Sequence, residues 1–461
     1  MLKNRYAFLT ILLENKNIKF LFFKKITKNM MSFITSISAI LIAVSLLQLG
    51  NGLLNTLLSL RSEAEAFSNS MIGVIMSGYF IGFFAGTFLA VPLISRVGHI
   101  RAFALCAALI SCSALLHALL VSPYWWLSLR VLNGAAIVIM YTVVESWLNR
   151  QTPAESRGRV FAIYMTVNLG SIALAQQLLR FDPDLTFFLF SIASILISLS
   201  LIPITWTRLK QPEINSVASI NLFKIYKSAP VALWGSLLSG LAMGAFWGLG
   251  ALYASQEGLS NNAVAIFMSL FILGGALLQF PLGRYSDRHD RRLVLSLISL
   301  FAALFAITLT FTTNYLILFF GLSVVYGGLA FAIYPVSVAH LIDHLDPDEM
   351  LAGGSGLLLL HGVGAMLGPI LAGQLMEILG PSSLPAFWAF NLLVLAIIAF
   401  AYQYKREAED PDGYTADFVP MVTTTPSALE MLSVETEGDD GDSSNATWGS
   451  NEDEALADVK S

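Results

Sequence analysis

Three ionisable side chains, Arg130, Glu145 and His361, stand inside long apolar runs. A charge carried to the middle of a bilayer costs about 2.5–3.5 kcal/mol on insertion scales, so such groups pair, face a water-filled cavity or line a substrate path. A guanidinium there attracts an anion, and an imidazole can gain and lose a proton near neutral pH. Amides and aromatic groups with polar ends stand at similar depth: Asn51, Asn55, Asn133, Trp247 and Tyr334. Asn51 and Asn55 are four apart and share one helix face. Together with Arg130 and His361 they are candidates for binding a small molecule. Glu145, His361 and Arg130 are candidates for coupling to protons. Each has a plainer reading. Amides and phenols bond neighbouring helices together, His361 packs, Glu145 pairs with Arg150 or Arg157, and Arg130 snorkels to the nearer interface.

These residues require a scaffold that sits in lipid. The 461-residue chain is 56% hydrophobic and only 12% charged, against about a quarter charged in soluble domains. Its mean hydropathy is +0.70. That balance excludes most soluble enzymes, nucleic-acid binders and secreted disulfide scaffolds. Twelve apolar segments, the first near 33–58 and the last near 383–404, each reach the roughly 20 residues that cross a bilayer as a helix. The runs are too long and do not alternate, which excludes a β-barrel. The expected fold is an all-α integral membrane protein. No GxxxxGK[ST] loop supplies an ATP site. No cofactor and no metal site is expected, and Cys106 and Cys112 form no recognisable motif.

Charge orients the chain. With the N-terminus inside, 23 of the 26 Lys and Arg fall on the inner side, leaving Arg61 and Arg180 outside and Arg130 within a span. Both termini are therefore expected in the cytoplasm. Residues 1–31 form a basic extension, read either as a membrane-surface segment or as sequence upstream of a true start at Met30 or Met31. Residues 207–228 read as a polar cytoplasmic linker between a first half, 32–206, and a second, 229–404. Residues 405–461 carry 3 basic and 15 acidic residues, and read as a disordered acidic cytoplasmic tail.

The halves repeat at an offset near 192 residues. Ser68-Asn69 aligns with Ser260-Asn261, Met76-Ser77 with Met268-Ser269, Gly82 with Gly274, and Gly52 with Gly244; at 193, Gly134 and Tyr141 fall on Gly327 and Tyr334. The loop after the eighth segment, Gly283-Arg284-Tyr285-Ser286-Asp287-Arg288-His289-Asp290-Arg291-Arg292, closely resembles the loop signature of the major facilitator superfamily. The loop after the second segment keeps Arg96, Gly98 and Arg101 but has Val91 and Ser95 where that family has Gly and Asp. Arg130 with Gly134 resembles the family's fourth-helix signature, with Asn133 where Gln is usual. The antiporter Gly-Pro signature is missing from the fifth segment; a Gly368-Pro369 pair stands in the eleventh. Val144-Glu145-Ser146-Trp147-Leu148 and Gly244-Ala245-Phe246-Trp247-Gly248-Leu249-Gly250 are similar to the YcaD-like bacterial branch.

The resemblance implies the major facilitator fold, twelve transmembrane helices in two six-helix halves, and a monomer that is not an enzyme. It implies a secondary transporter in the bacterial plasma (inner) membrane. Such a protein moves a small organic solute by alternating access, coupled to protons, around a midplane site. Its partners are the lipid bilayer, a small-molecule substrate and protons, with no nucleic acid. In that family the loop carboxylate latches the cytoplasmic side. Here Gly283, Asp287, Arg288, Arg291 and Arg96 would serve, with Asp287 facing Glu155 and Arg157 at the start of the fifth helix, where backbone N–H groups favour an anion. A facilitated uniporter, or a receptor or assembly protein docking through the acidic tail, are the alternatives.

Overall fold

The computed structural model describes residues 37–153, 156–182, 184–206, 226–346 and 349–405, with Met421 and Thr425. The extension 1–31, most of the linker, most of the tail and Glu155 lie outside the described residues.

Among the described residues, 12 helices are long and apolar enough to cross a membrane. In the first half these are α1 (Ile37–Ala64), α2 (Asn69–Val97), α3 (His99–Leu119), α4 (Pro123–Gln151), α5 (Arg157–Phe181, its last turn 3-10) and α6 (Phe187–Trp206). The second half has α7 (Pro230–Gln256), α8 (Asn261–Ser286), α9 (Arg291–Thr310), α10 (Leu316–Ile342), α11 (Met350–Leu379) and α12 (Ser383–Tyr404). Lipid offers the backbone no hydrogen-bond partner, so each crossing closes its own bonds as a helix. Short polar residues start them. Ser68 accepts from Met71 N at 3.3 Å to cap α2, and Ser260 accepts from Ala263 N at 3.4 Å to cap α8. Gly98, at φ 84°, turns the chain from α2 into α3.

The internal repeat is visible in the packing. In the first half α2 pairs with α4, and α3 with α6; in the second, α8 pairs with α10, and α9 with α12. Glycines set the closest crossings. A Cβ at Gly82 would collide with the Val131 carbonyl, and one at Gly134 with the Tyr79 carbonyl. Their counterparts Gly274 and Gly327 stand equally tight against the Val324 and Phe271 carbonyls. Gly52 packs on Ile172 of α5, and Gly244 on Ala365 of α11. Small residues let backbones approach, and that is how helices gain contact energy in lipid.

The halves join by the same rule. The pair α2–α11 is matched by α8–α5, which the repeat turns into each other. We call the side where the chain enters α1 and leaves α12 the terminal face. The tight contacts between halves lie towards the opposite face. Gly73 abuts Pro369 and Gly373 abuts Asn69. Asn69 exchanges hydrogen bonds with Gln256, and its N–H donates to Glu377 at 2.7 Å. Gln177 donates to Ser269 at 2.6 Å, and Ser269 to the Ala173 carbonyl at 2.7 Å.

Gly82→Val should destabilise the detergent-solubilised protein by the roughly 1–3 kcal/mol typical of overpacking, read as a lower melting temperature. Gly170→Ala, where an added Cβ meets nothing within 4 Å, should melt no lower than the parent. Equal melting of Gly82→Val and the parent would refute the crossing argument.

Candidate functional site

Two cavities adjoin between the halves. The first has about 640 Å³ of empty space, open volume included, and is lined by Asn51, Asn55, Tyr79, Phe80, Phe83, Tyr141, Asn168, Ile172 and Trp247. The second, about 410 Å³ on the same measure, is lined by Phe80, Met243, Trp247, Phe331, Tyr334, His361, Ala365 and Met421. Phe80 and Trp247 belong to both walls.

A hydrogen-bonded triad backs the first cavity. Gln48 Nε2 donates to Asn168 Oδ1 at 2.5 Å, and the Tyr141 hydroxyl donates to Gln48 Oε1 at 3.1 Å. Gln48 is fully buried and its amide is shared between α4 and α5. Asn51 and Asn55 of α1, buried and half-buried, bring their amides to the lining of this cavity. Asn55 also ties the halves together, since its Nδ2 donates to the Trp247 carbonyl at 2.8 Å.

Arg130 is turned inward. It is 1% exposed, so the snorkelling reading is set aside. It lines neither cavity and stands one layer behind the first. Its Nη2 donates to Asn55 Oδ1 at 2.7 Å, and its guanidinium carbon lies 4.7 Å from the centre of the Tyr79 ring. That ring supplies cation–π stabilisation. Among the described residues no carboxylate pairs with it, and its Nε has no hydrogen-bond partner. The site therefore holds a buried positive charge beside an amide-lined cavity. In a poorly screened interior such a charge acts strongly on whatever enters.

In the second cavity His361 Nδ1 lies 3.1 Å from the Ser236 carbonyl, which can only accept, and 3.3 Å from Ser239 Oγ. Nδ1 thus carries the hydrogen and Nε2 keeps its lone pair. The Tyr334 and His361 ring centres are 4.5 Å apart, and the Tyr334 hydroxyl has no partner.

Asn51, Asn55, Trp247, Tyr334 and His361 are thus brought to the cavities, and Arg130 acts from behind. Asn133 is not brought there: it is fully buried, lines neither cavity, and both ends of its amide lack partners among the described residues. Glu145 is fully buried, and its partners are Tyr164 and Thr425 rather than Arg150 or Arg157. In the loop cluster, Arg291 is 4% exposed and joins Asp343 at 2.5 Å and Asp287 at 3.3 Å. These described ion pairs run within the second half. Arg96 and Arg288 are exposed, Arg157 is half-buried, and Gly283 is buried at the end of α8. Sequence reasoning missed Tyr79, Phe80 and Phe331. Aromatics in an apolar run carry no pattern that separates a cavity wall from a packing face.

A model described as Major Facilitator Superfamily matches residues 40–262 and again 232–429. The fold and the site between two repeated halves define a multi-pass membrane transporter, not an enzyme. The chain belongs to the Major Facilitator Superfamily. It is 28% identical over 363 residues, 78% of this chain and 91% of the relative, to the uncharacterized MFS-type transporter YcaD of Escherichia fergusonii. That is the branch whose motifs it resembles. In fold it is similar to the nucleoside transporter NupG, with TM-score 0.67 and 16% identity over 81% of this chain and 100% of that one. It is also similar to a D-xylose–proton symporter, with TM-score 0.62 and 13% identity over 80% and 96%.

Gln48→Leu should cost about 1–3 kcal/mol, the price of leaving buried polar partners unpaired, and lower the melting temperature. An unchanged melt would show that the triad does not support the cavity.

Proposed function

We propose that the protein carries a small organic solute bearing an anionic group across the bacterial inner membrane, by alternating access and coupled to protons. The observation behind this reading is Arg130, buried without a carboxylate directly behind Asn55 and Tyr79 of the cavity wall. An entering anion would supply the missing countercharge. The amides of Asn51 and Asn55 suit a polar ligand, and Phe80, Phe83 and Trp247 suit a ring or apolar body.

The terminal face is cytoplasmic in this reading, by the distribution of 23 of 26 basic residues. The contacts at the opposite face then close the outside, and the cavities belong to an inward-facing state. Protons have a candidate group in His361, whose Nε2 lone pair can accept one without disturbing the bond at Nδ1. The D-xylose–proton symporter, similar in fold, moves its sugar with protons. In the outward-facing state Asp287 leaves Arg291 for the start of α5 near Arg157, and so latches the cytoplasmic side.

Everted vesicles with an acid interior and a pH-sensitive dye, challenged with a panel of organic anions and zwitterions, test this. One compound should collapse the gradient in a protein-dependent way, and Arg130→Met should lower that flux at least ~10-fold, equivalent to ~1.4 kcal/mol. Flux that ignores both the gradient and Arg130→Met would exclude the proposal. Asp287→Asn should slow the same flux without changing protein yield; an unaltered rate would remove the latch.

A further inference from the structure

Two tail residues lie inside the body of the protein. Thr425 is fully buried and Met421 is 4% exposed. Thr425 donates twice to one carboxylate oxygen, Glu145 Oε2: its backbone N–H at 3.1 Å and its hydroxyl in a short contact. The other oxygen, Oε1, accepts from the Tyr164 hydroxyl at 3.1 Å. Three donors thus satisfy a carboxylate that would otherwise be buried without a partner, and the tail supplies two of them. The Met421 carbonyl accepts from Gln279 Nε2 at 3.2 Å, and Met421 lines the second cavity with Tyr334 and His361.

The two anchors belong to different halves. Glu145 is on α4 and Gln279 on α8, both near the terminal face. Met421 and Thr425 are four steps apart along the chain, a reach of at most about 14 Å. A strap that short, fixed to both halves, limits how far they can move apart.

We infer that the terminal-face mouth of the cleft is a binding site for the chain's own C-terminal arm. Thr425 on Glu145 and Met421 on Gln279 are its anchors, and the seated arm closes the second cavity from that face. The arm also occupies Glu145 and the approach to His361, so a protein with its arm seated is at rest. The seating stands on these contacts alone; only its consequence for flux rests on the transport reading.

The test uses the full-length chain with Cys106→Ser and Cys112→Ser and a single reporter, Met243→Cys, in the wall of the second cavity. The purified protein is treated with a bulky water-soluble maleimide. Thr425→Asp sets a second carboxylate against Glu145 and should unseat the arm, so that the reporter labels at least ten-fold faster. Thr425→Ser keeps the hydroxyl and the N–H, and should label as slowly as the parent. In a second measurement, a reporter at Met421→Cys should itself be protected until SDS is added. Equal rates for the parent and Thr425→Asp, a fast Thr425→Ser variant, or an unprotected Met421→Cys would each overturn the inference. Labelling needs no solute, so an unresponsive solute panel would count against the transport reading and leave this result standing.

Discussion

Every polar group that this chain carries into hydrocarbon must find its partner within the protein. The backbone meets that demand helix by helix. The side chains meet it by pairing across helices, and those pairings decide where the helices stand. Gln48 is the plainest case. Its two ends are taken by Asn168 on α5 and Tyr141 on α4, so one amide on α1 fixes three helices around the first cavity. Thr56 repeats the device lower on the same helix, donating to Gln176 at 2.6 Å. Asn55 extends it across the cleft to the Trp247 backbone.

Close packing then determines which helices can meet. Lipid tails are as apolar as leucine, so helices associate through contact and hydrogen bonding rather than through escape from water. The four glycines at the α2–α4 and α8–α10 crossings let backbones touch where any side chain would collide with a carbonyl. Each half therefore behaves as a stiff unit. Between the units, hydrogen bonds add to the close packing of Gly73 on Pro369: Asn69 with Gln256, Glu377 at the start of α2, and Gln177 with Ser269. Stiff bodies joined by exchangeable hydrogen bonds suit a protein that rocks about a central site.

Pairing is incomplete at several buried side chains, Ser77, Trp147 and Trp388 among them. Among the described residues, Arg130 has one hydrogen bond and an aromatic face but no anion, and the Tyr334 hydroxyl has no partner. Both adjoin the cavities. Asn133 lines neither cavity and is unpartnered among the described residues, and nothing in the structure accounts for it. Glu145 has Tyr164 on one oxygen, and the tail supplies the donors to the other. The same constraint that builds the helices thus leaves a few unmet demands, and a solute, a proton or the chain's own arm can meet them.

Much of this was legible in the sequence, because some physical signals are local. Helix number follows from run length, since one bilayer thickness sets one segment length. The repeat follows from Ser68 with Ser260 and Gly82 with Gly274, because a cap and a tight crossing each demand a residue type wherever they recur. Polar residues such as Asn51, Asn55 and His361 stood out because their burial is costly. What the sequence could not show was direction around each helix and reach between distant segments. Asn133 and Arg130 are three residues apart on one face of α4, yet only Arg130 meets the cavity wall, through Asn55 and Tyr79. Tyr79 and Phe80 read as ordinary apolar residues until α2 set them in the wall. An acidic, polar tail reads as solvated by composition, and only tertiary structure brings Met421 and Thr425 to partners 142 and 280 residues away. Composition and spacing are properties of the chain taken locally; a partner is a property of the packed whole.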